Sequence, residues 1–253
     1  MFAEERQQKI LDMLNSESSI KVMDIAVLLN VSESTIRRDL QELEEKKLLM
    51  RTHGGAVGIN NRTSFEPSFT DKQDEQIDQK HNIAEVASEM IEDGDTIILD
   101  SGTTTLEIAK RINKRDITVI TNSIDIAAEL SEKEGIEIIV TGGSLRLNTR
   151  AMVGHLTESV IKNFRVDKAF IGANGVSIED GITTPNFIEA QTKKSMINYA
   201  SKVIIVADSS KFNNVSFSVI CPVKAASMII TSKDIEEDIV KQYAEIGVDI
   251  ITA

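Results

Sequence analysis

The 253-residue chain has one cysteine, three prolines, no tryptophan and only 4% aromatic residues. A lone cysteine, Cys221, excludes an intrachain disulfide framework and a cysteine-based zinc cluster. With so few aromatics, base stacking on an aromatic platform is not the mode of any nucleic-acid binding. Long hydrophobic runs are missing too. Stretches such as Val203-Ile204-Ile205-Val206-Ala207 have strand length, far below a membrane span, and Met1 to Lys9 carries no signal-peptide core. The expectation is a cytoplasmic protein with no membrane partner. A basic excess is also lacking: 28 Lys+Arg stand against 40 Asp+Glu, for a formal net charge of -12. That balance excludes a surface built throughout for nucleic acid. What remains, 41% hydrophobic and 27% charged residues, is ordinary globular usage, with enough chain for one large domain or two unequal ones.

Two patterns divide the chain. Up to residue 57 the spacing predicts three helices and a short strand pair. Ile10, Leu11 and Leu14 mark the first helix, Val22, Ile25, Ala26 and Leu29 the second, and Ile36, Leu40 and Leu43 the third. From about residue 80 strands alternate with helices. Strands are expected at 96–99, 118–120, 136–140, 168–171, 203–207 and 228–230, which predicts a mostly parallel sheet with helices on its faces. The polar, Asn-rich stretch between them, with Pro67 and with Phe65 and Phe69 as docking points, reads as a linker. The expected boundaries are 1–57, 58–78 for the linker, and 79–253.

The segment from Met23 to Leu40 is the most informative. Asn30 tolerates the left-handed backbone that ends a helix, Ser32 is a good N-cap, and Glu33 suits the first turn. With Ile36, Leu40 and Leu43 inward, Ser34, Thr35, Arg37, Arg38 and Gln41 lie on the outer faces. Such a helix fits a major groove, with hydroxyls and one arginine at base edges and the other arginine on phosphate. Ser32 belongs with this DNA-facing group. Gly54-Gly55 then supplies a turn between two extended runs, a wing that places Arg51 and His53 at the DNA backbone. Alone, an Arg-Arg pair is a solvated helix face; beside a capped turn, an inner stripe and a wing it reads as a DNA contact. The other histidines, His81 and His155, fall in unrelated contexts, so no metal site is expected.

A second constellation follows the strand at 96–99. Asp100-Ser101-Gly102-Thr103-Thr104-Thr105 opens a helix, where free amides and hydroxyls favour an anion. It is neither a Walker loop nor Gly-x-Gly-x-x-Gly, and taken alone its hydroxyls are ordinary N-caps. Other strand ends repeat the theme: Thr121-Asn122-Ser123; Thr141-Gly142-Gly143 with Arg146 behind; Gly172-Ala173-Asn174-Gly175; and Asp208-Ser209-Ser210-Lys211. Ligands of open α/β sheets bind at the carboxyl ends of strands, so these clusters describe one polar pocket.

The run Val31-Ser32-x-x-Thr35-Ile36-Arg37-Arg38-Asp39-Leu40, then Leu43-Glu44, then Leu49-x-Arg51-x-His53-Gly54-Gly55-Ala56, resembles the DeoR family of bacterial transcriptional repressors. Lys47 and Ser18 depart from that pattern at positions where the family often has glycine, which bears on loop geometry. The pocket residues resemble the family's C-terminal sensor domain, together with Gly154, Asp167-Lys168-Ala169-Phe170, and Glu189-Ala190 with Lys193. The resemblance covers nearly the whole chain. It implies a mostly α N-terminal winged helix-turn-helix and a C-terminal α/β sensor domain related in fold to ribose-5-phosphate isomerase. It also implies a phosphorylated sugar as effector, with Ser101 to Thr105 on the phosphate. Asp100, Asn122, Asn174, Glu189 and Lys193 would meet sugar hydroxyls or wall the pocket.

These readings combine into a repressor of a sugar-metabolism operon that is released or modulated by a sugar phosphate. It would bind operator double-stranded DNA as a homo-oligomer, a dimer or tetramer, without a cofactor. The rival is a sugar-phosphate isomerase-like enzyme with an added DNA-binding head. It would need Glu189, Asp100 or Lys193 as a tuned acid or base, residues that serve equally to bind hydroxyls. The charge fits the repressor: up to Gly58 there are 8 Lys+Arg against 10 Asp+Glu, so -10 of the -12 falls on the rest of the chain.

Overall fold

The third helix begins where its capping chemistry says it should. In the computed structural model, which describes residues 2–16, 19–46, 48–52, 54–58, 63–64 and 66–253, Asn30 has φ 53° and closes α2 (Val22–Leu29). Ser32 caps α3 (Glu33–Glu45) by accepting from the Thr35 amide at 3.2 Å. Before them runs α1 (Ala3–Ser16). Ile10, Leu14, Ile25, Leu29, Ile36, Leu40 and Leu43 form one buried cluster, the stripe that helical periodicity predicts.

The wing differs in detail from the expectation. β2 (Leu49–Thr52) pairs antiparallel with β3 (Gly55–Gly58), and Thr52 opposes Gly55. Gly55 therefore belongs to the strand rather than to the turn. An added strand, β1 (Ser19–Lys21), completes a three-stranded sheet in the order β1-β3-β2. Gly55 is needed for that approach, because a Cβ there would come within 1.8 Å of the Ile20 carbonyl oxygen. His53, Phe65, Ser18 and Lys47 lie outside the described residues.

The chain separates into two units, Met1–Glu75 and Gln76–Ala253. The stretch 58–78 holds α4 (Phe69–Gln73), started by a Ser68–Asp71 capping box, and Phe69 is buried. α5 (Ile77–Glu89) also starts inside it.

The second unit is built on seven parallel strands: β4 (Thr96–Leu99), β5 (Ile117–Thr121), β6 (Ile136–Val140), β9 (Val166–Gly172), β12 (Ala200–Val206), β14 (Met228–Thr231) and β15 (Asp249–Thr252). Their order is β15-β14-β12-β9-β4-β5-β6. Crossover helices α6 (Thr103–Arg111), α7 (Ile124–Ser131), α9 (Phe187–Asn198) and α10 (Glu237–Glu245) connect them. The sheet's apolar runs read as nearly continuous, as expected of parallel strands covered on both faces. Two antiparallel additions have no counterpart in the sequence reading. β7 (Ser144–Arg146) and β8 (Ala151–Val153) form a hairpin; β10 (Gly175–Ser177), β11 (Gly181–Thr184) and β13 (Ser218–Cys221) form a small sheet. Among the described residues no helix is long and apolar enough to cross a membrane.

Strand order reverses at β4, which has β5 on one side and β9 on the other. Successive strands run outward from there in both directions, so the crossovers diverge and leave a crevice at the carboxyl ends of β4 and β9. The five clusters expected at strand ends follow β12, β9, β4, β5 and β6, which are consecutive in the sheet.

In the first unit, one buried ion pair ties α1 to α3. The Asp39 carboxylate, 3% exposed, receives the Arg6 guanidinium through Nε and, at 2.8 Å, through Nη2. That hydrogen bond raises the Arg6 pKa further above its ordinary value, so Arg6 keeps its charge throughout. Removing one partner of such a pair leaves an uncompensated buried charge. Asp39→Ala should lower the stability of this unit by about 3–5 kcal/mol, and Arg6→Met with Asp39→Leu should recover most of the loss. Urea unfolding of the full chain checks both.

Candidate functional site

The outer face of α3 carries the polar set that groove binding needs. Ser34, Arg37, Arg38 and Gln41 are exposed, and Thr35 is half-buried. Ser32 Oγ is engaged at the cap, within 2.8 Å of both Ser34 Oγ and Thr35 Oγ1. Arg37 lies 3.3 Å from Glu33 and Arg38 lies 3.6 Å from Glu42, each an exposed pair one turn apart. Pairs of this kind are weak and screened by salt, so phosphate oxygens compete well for both guanidinium groups. Arg51 stands on β2, its amide donating to Glu44 Oε1 at 2.9 Å. The consecutive residues Arg37, Arg38 and Asp39 thus divide, two basic groups outward and the acid inward.

At the β4–β9 crevice, Asp100 follows β4 and is fully buried. Its Oδ2 accepts from the Gly172 amide at 3.1 Å and from Lys193 Nζ on α9. Lys193 Nζ also donates to the Gly172 carbonyl at 3.1 Å. Asp100 Oδ1 is buried with no hydrogen-bond partner. Burial pushes the Asp100 carboxyl above the usual carboxylate range, against the pull of Lys193, and the nearby charge of Glu189 adds to the rise. A buried acceptor left open costs free energy, and a hydroxyl donor brought to it would remove that cost.

Beside Asp100, the Ser101 amide donates to Asn122 Oδ1 at 2.9 Å, and Asn122 Nδ2 donates to the Met152 carbonyl at 3.0 Å. Gly102 precedes α6, so the amides of its first turn, Thr103 to Thr105, have no partner within the helix. Ser101 and Thr103 are nearly buried and Thr104 is half-buried. The crevice thus holds a helix amino end, hydroxyls, an unpaired carboxylate oxygen and a lysine within one arrangement.

Not every expected hydroxyl is available. Thr105 Oγ1 donates to the Gly102 carbonyl at 3.0 Å, Thr121 Oγ1 donates to the Leu99 carbonyl at 2.7 Å, and Ser123 Oγ caps α7. These three hydroxyls serve local structure. Gly143 has φ 116°, and a Cβ there would lie 2.1 Å from Thr157 Oγ1. Thr157 in turn donates to the Gly142 carbonyl at 2.6 Å. Asn174 Oδ1 accepts from Thr184, and Gly175 pairs with Thr183, so both sit in the small antiparallel sheet. Lys211 pairs with Asp208 at 3.7 Å beyond β12.

Arg146 and Glu189 form an ion pair, and Thr149 donates to the same Glu189 oxygen. Sequence reasoning did not single out Thr149 or the Met152 carbonyl; a four-residue turn and a backbone atom leave no pattern to find. A cavity of about 370 Å³ lined by Asp116, Ile117, Thr118, Gly135, Ile136 and Glu137 opens at the amino ends of β5 and β6, away from these groups.

The Asp100–Lys193 pair should behave as a unit. Lys193→Met leaves a buried carboxylate without its cation and should cost about 3–5 kcal/mol of stability, with the loss growing as pH rises and Asp100 ionises. Asp100→Asn with Lys193→Met should recover most of it. Thermal unfolding of the three variants at pH 5 and pH 8 checks the sign.

Known proteins match both units. The DeoR-like helix-turn-helix domain matches residues 6–62, and the DeoR C terminal sensor domain matches residues 75–233. The chain is 39% identical over 233 residues to the transcriptional repressor GlcR of Bacillus subtilis, covering 92% of this chain and 90% of that one. It is 38% identical to the transcriptional repressor AccR of Agrobacterium fabrum, covering 90% and 89%. To a candidate aga operon transcriptional repressor of Escherichia coli O157:H7 it is 37% identical, covering 98% and 93%. Solved structures align remotely. Ribose 5-phosphate isomerase A from Methanocaldococcus jannaschii is 19% identical with a TM-score of 0.40, over 53% of this chain and 54% of that one. Translation initiation factor eIF-2B from Pyrococcus horikoshii OT3 is 17% identical with a TM-score of 0.40, over 85% and 74%. The full-length relatives are regulators, so the enzyme reading is not favoured. With both domains matched and relatives aligned almost end to end, the chain belongs to the DeoR family of DNA-binding transcriptional repressors.

Proposed function

We propose that the chain represses a sugar-metabolism operon and that a phosphorylated sugar bound in the C-terminal unit releases or modulates it. The observation that carries the ligand half is the buried, unpartnered Asp100 Oδ1 beside the amino end of α6. In this reading the phosphate sits on the amides of Gly102 to Thr105, with hydroxyls from Ser101, Thr103 and Thr104. A sugar hydroxyl donates to Asp100 Oδ1, Asn174 takes another, and Asn122, engaged by Ser101 and Met152, walls the pocket. Lys193, Glu189, Arg146 and Lys211 wall the pocket, while Thr121, Ser123, Gly142, Gly143 and Gly175 shape its rim.

For the DNA half, α3 enters the major groove. Ser34, Thr35, Gln41 and one of Arg37 and Arg38 meet base edges; the other arginine, Arg51 and His53 meet phosphates; Ser32 fixes the helix start. The chain works as a homo-oligomer, a dimer or tetramer, since one head contacts too few bases for operator specificity. The effector shifts operator affinity only to the extent that it binds one state of the protein better than the other.

Arg37→Ala should weaken operator binding about 10- to 100-fold, the worth of one good base or phosphate contact, and leave sugar-phosphate affinity unchanged. Thr104→Val should do the reverse and give a repressor deaf to its effector. Operator gel shifts and calorimetry with fructose and tagatose phosphates read the two activities separately. Loss of both activities in either folded variant contradicts the two-module scheme.

A further inference from the structure

The β7–β8 hairpin is attached to the sensor crevice at two places of different character. Its base is a backbone joint: the Met152 amide donates to the Asn122 carbonyl at 2.7 Å, Asn122 Nδ2 donates to the Met152 carbonyl at 3.0 Å, and Ala151 bridges Ser123. The same Asn122 accepts from the Ser101 amide. The hairpin's first strand and its turn, by contrast, are held by side chains of opposite charge. Glu189 on α9 receives Arg146 and Thr149, and Asp125 on α7 receives Arg150 at 2.9 Å.

Arg146 lies on the hairpin strand next to the one that borders the crevice. It opposes Ala151 in the hairpin, and Ala151 opposes Ser123. Its backbone is therefore two strand spacings, about 10 Å, from Ser123, which follows Asn122 directly. Glu189 lies one helical turn before Lys193, whose ammonium holds Asp100. The carboxylate that holds Arg146 thus borders the crevice that would receive an anion. Its own exposure is small, 6%, so the pair is shielded from solvent and from salt.

We infer that Glu189 is an internal stand-in for the ligand's anionic group: it holds Arg146 while the crevice is empty, and a phosphate bound there takes Arg146 over and frees the hairpin. This deepens the proposed sugar-phosphate reading and rests on it. A phosphate offers the guanidinium a bidentate partner of higher charge than one carboxylate, so it competes with Glu189 for Arg146. When Arg146 changes partner, Thr149 still ties the turn to Glu189. The hairpin carries Leu145 and Leu147, 43% and 83% exposed, so its release changes what apolar surface the sensor presents. Glu189 is on this account a positioning residue, and it also sets ligand charge: a neutral sugar cannot displace it.

The test uses the full chain, wild type and Glu189→Gln, titrated with inorganic phosphate and with fructose and tagatose phosphates and their unphosphorylated sugars. Calorimetry reads affinity, and hydrogen exchange reads residues 144–153. Wild type should bind a phosphorylated sugar and lose exchange protection in the hairpin when it does. Glu189→Gln should bind the same phosphate about tenfold more tightly, a typical coupling, and its free hairpin should exchange like that of liganded wild type. Thr149→Val, which removes a tether without changing charge, should loosen the free hairpin and change affinity much less. Equal or weaker binding by Glu189→Gln overturns the inference, because it makes Glu189 a direct ligand contact or a bystander. A wild type that binds none of the phosphates overturns the sugar-phosphate reading itself, and the inference with it.

Discussion

A carboxylate buried without water is tolerated only where something fixes a cation against it, and the sensor unit is arranged around one such pair. Reversal of strand order at β4 opens a crevice, and the first residue past that strand is Asp100, fully buried. Lys193 comes from α9, 93 residues later, and meets it there. Burial raises the carboxyl's pKa while the ammonium opposes the rise, so the pair survives only with the Gly172 amide and carbonyl completing its hydrogen bonds. This arrangement joins the ends of β4 and β9 to α9 and leaves one carboxylate oxygen open. In the proposed reading, stability and ligand recognition are drawn from the same four groups.

The DNA-binding unit uses the same device for a different end. Arg6 and Asp39 lock the recognition helix to α1, and Gln7 adds a 2.7 Å bond to Glu42. A helix held this way presents Arg37 and Arg38 at a fixed angle with little entropy left to lose on binding. The weak pairs with Glu33 and Glu42 orient those arginines along the helix, and in the proposed binding mode DNA replaces the carboxylates. The chain's acidity lies mostly outside this unit. An overall charge of -12 therefore coexists with two outward-facing arginines on α3, and it disfavours the sensor's own contact with DNA.

How much of this was readable beforehand follows from how local each cause is. Asn30, Ser32 and the inner stripe of α3 act within a few residues, and the helix-turn-helix appears where they place it. Strands buried on both faces announce themselves as apolar runs, so β4 runs over Thr96–Leu99 as read. β1, β7 and β8 are three residues each and owe their form to partners elsewhere in the chain. No alternation marks them. The burial of Asp39 follows its register with Ile36 and Leu40, yet nothing in that register points to Arg6. At the site, the clustering of strand ends was legible because parallel strands deliver their carboxyl ends to one edge. The split between hydroxyls facing the crevice and those of Thr105, Thr121 and Ser123, spent on local bonds, depends on side-chain geometry that spacing does not encode.

The central claim is that two binding sites on one chain share a free energy. Its most direct test is to titrate the full-length protein with its sugar phosphate in the absence and presence of saturating operator duplex, and with operator in the absence and presence of saturating sugar phosphate. Linkage requires the same factor in both directions. The account predicts a factor clearly different from one, about 5- to 150-fold, equal within error in the two titrations. A sugar-phosphate affinity that is identical with and without operator would contradict it.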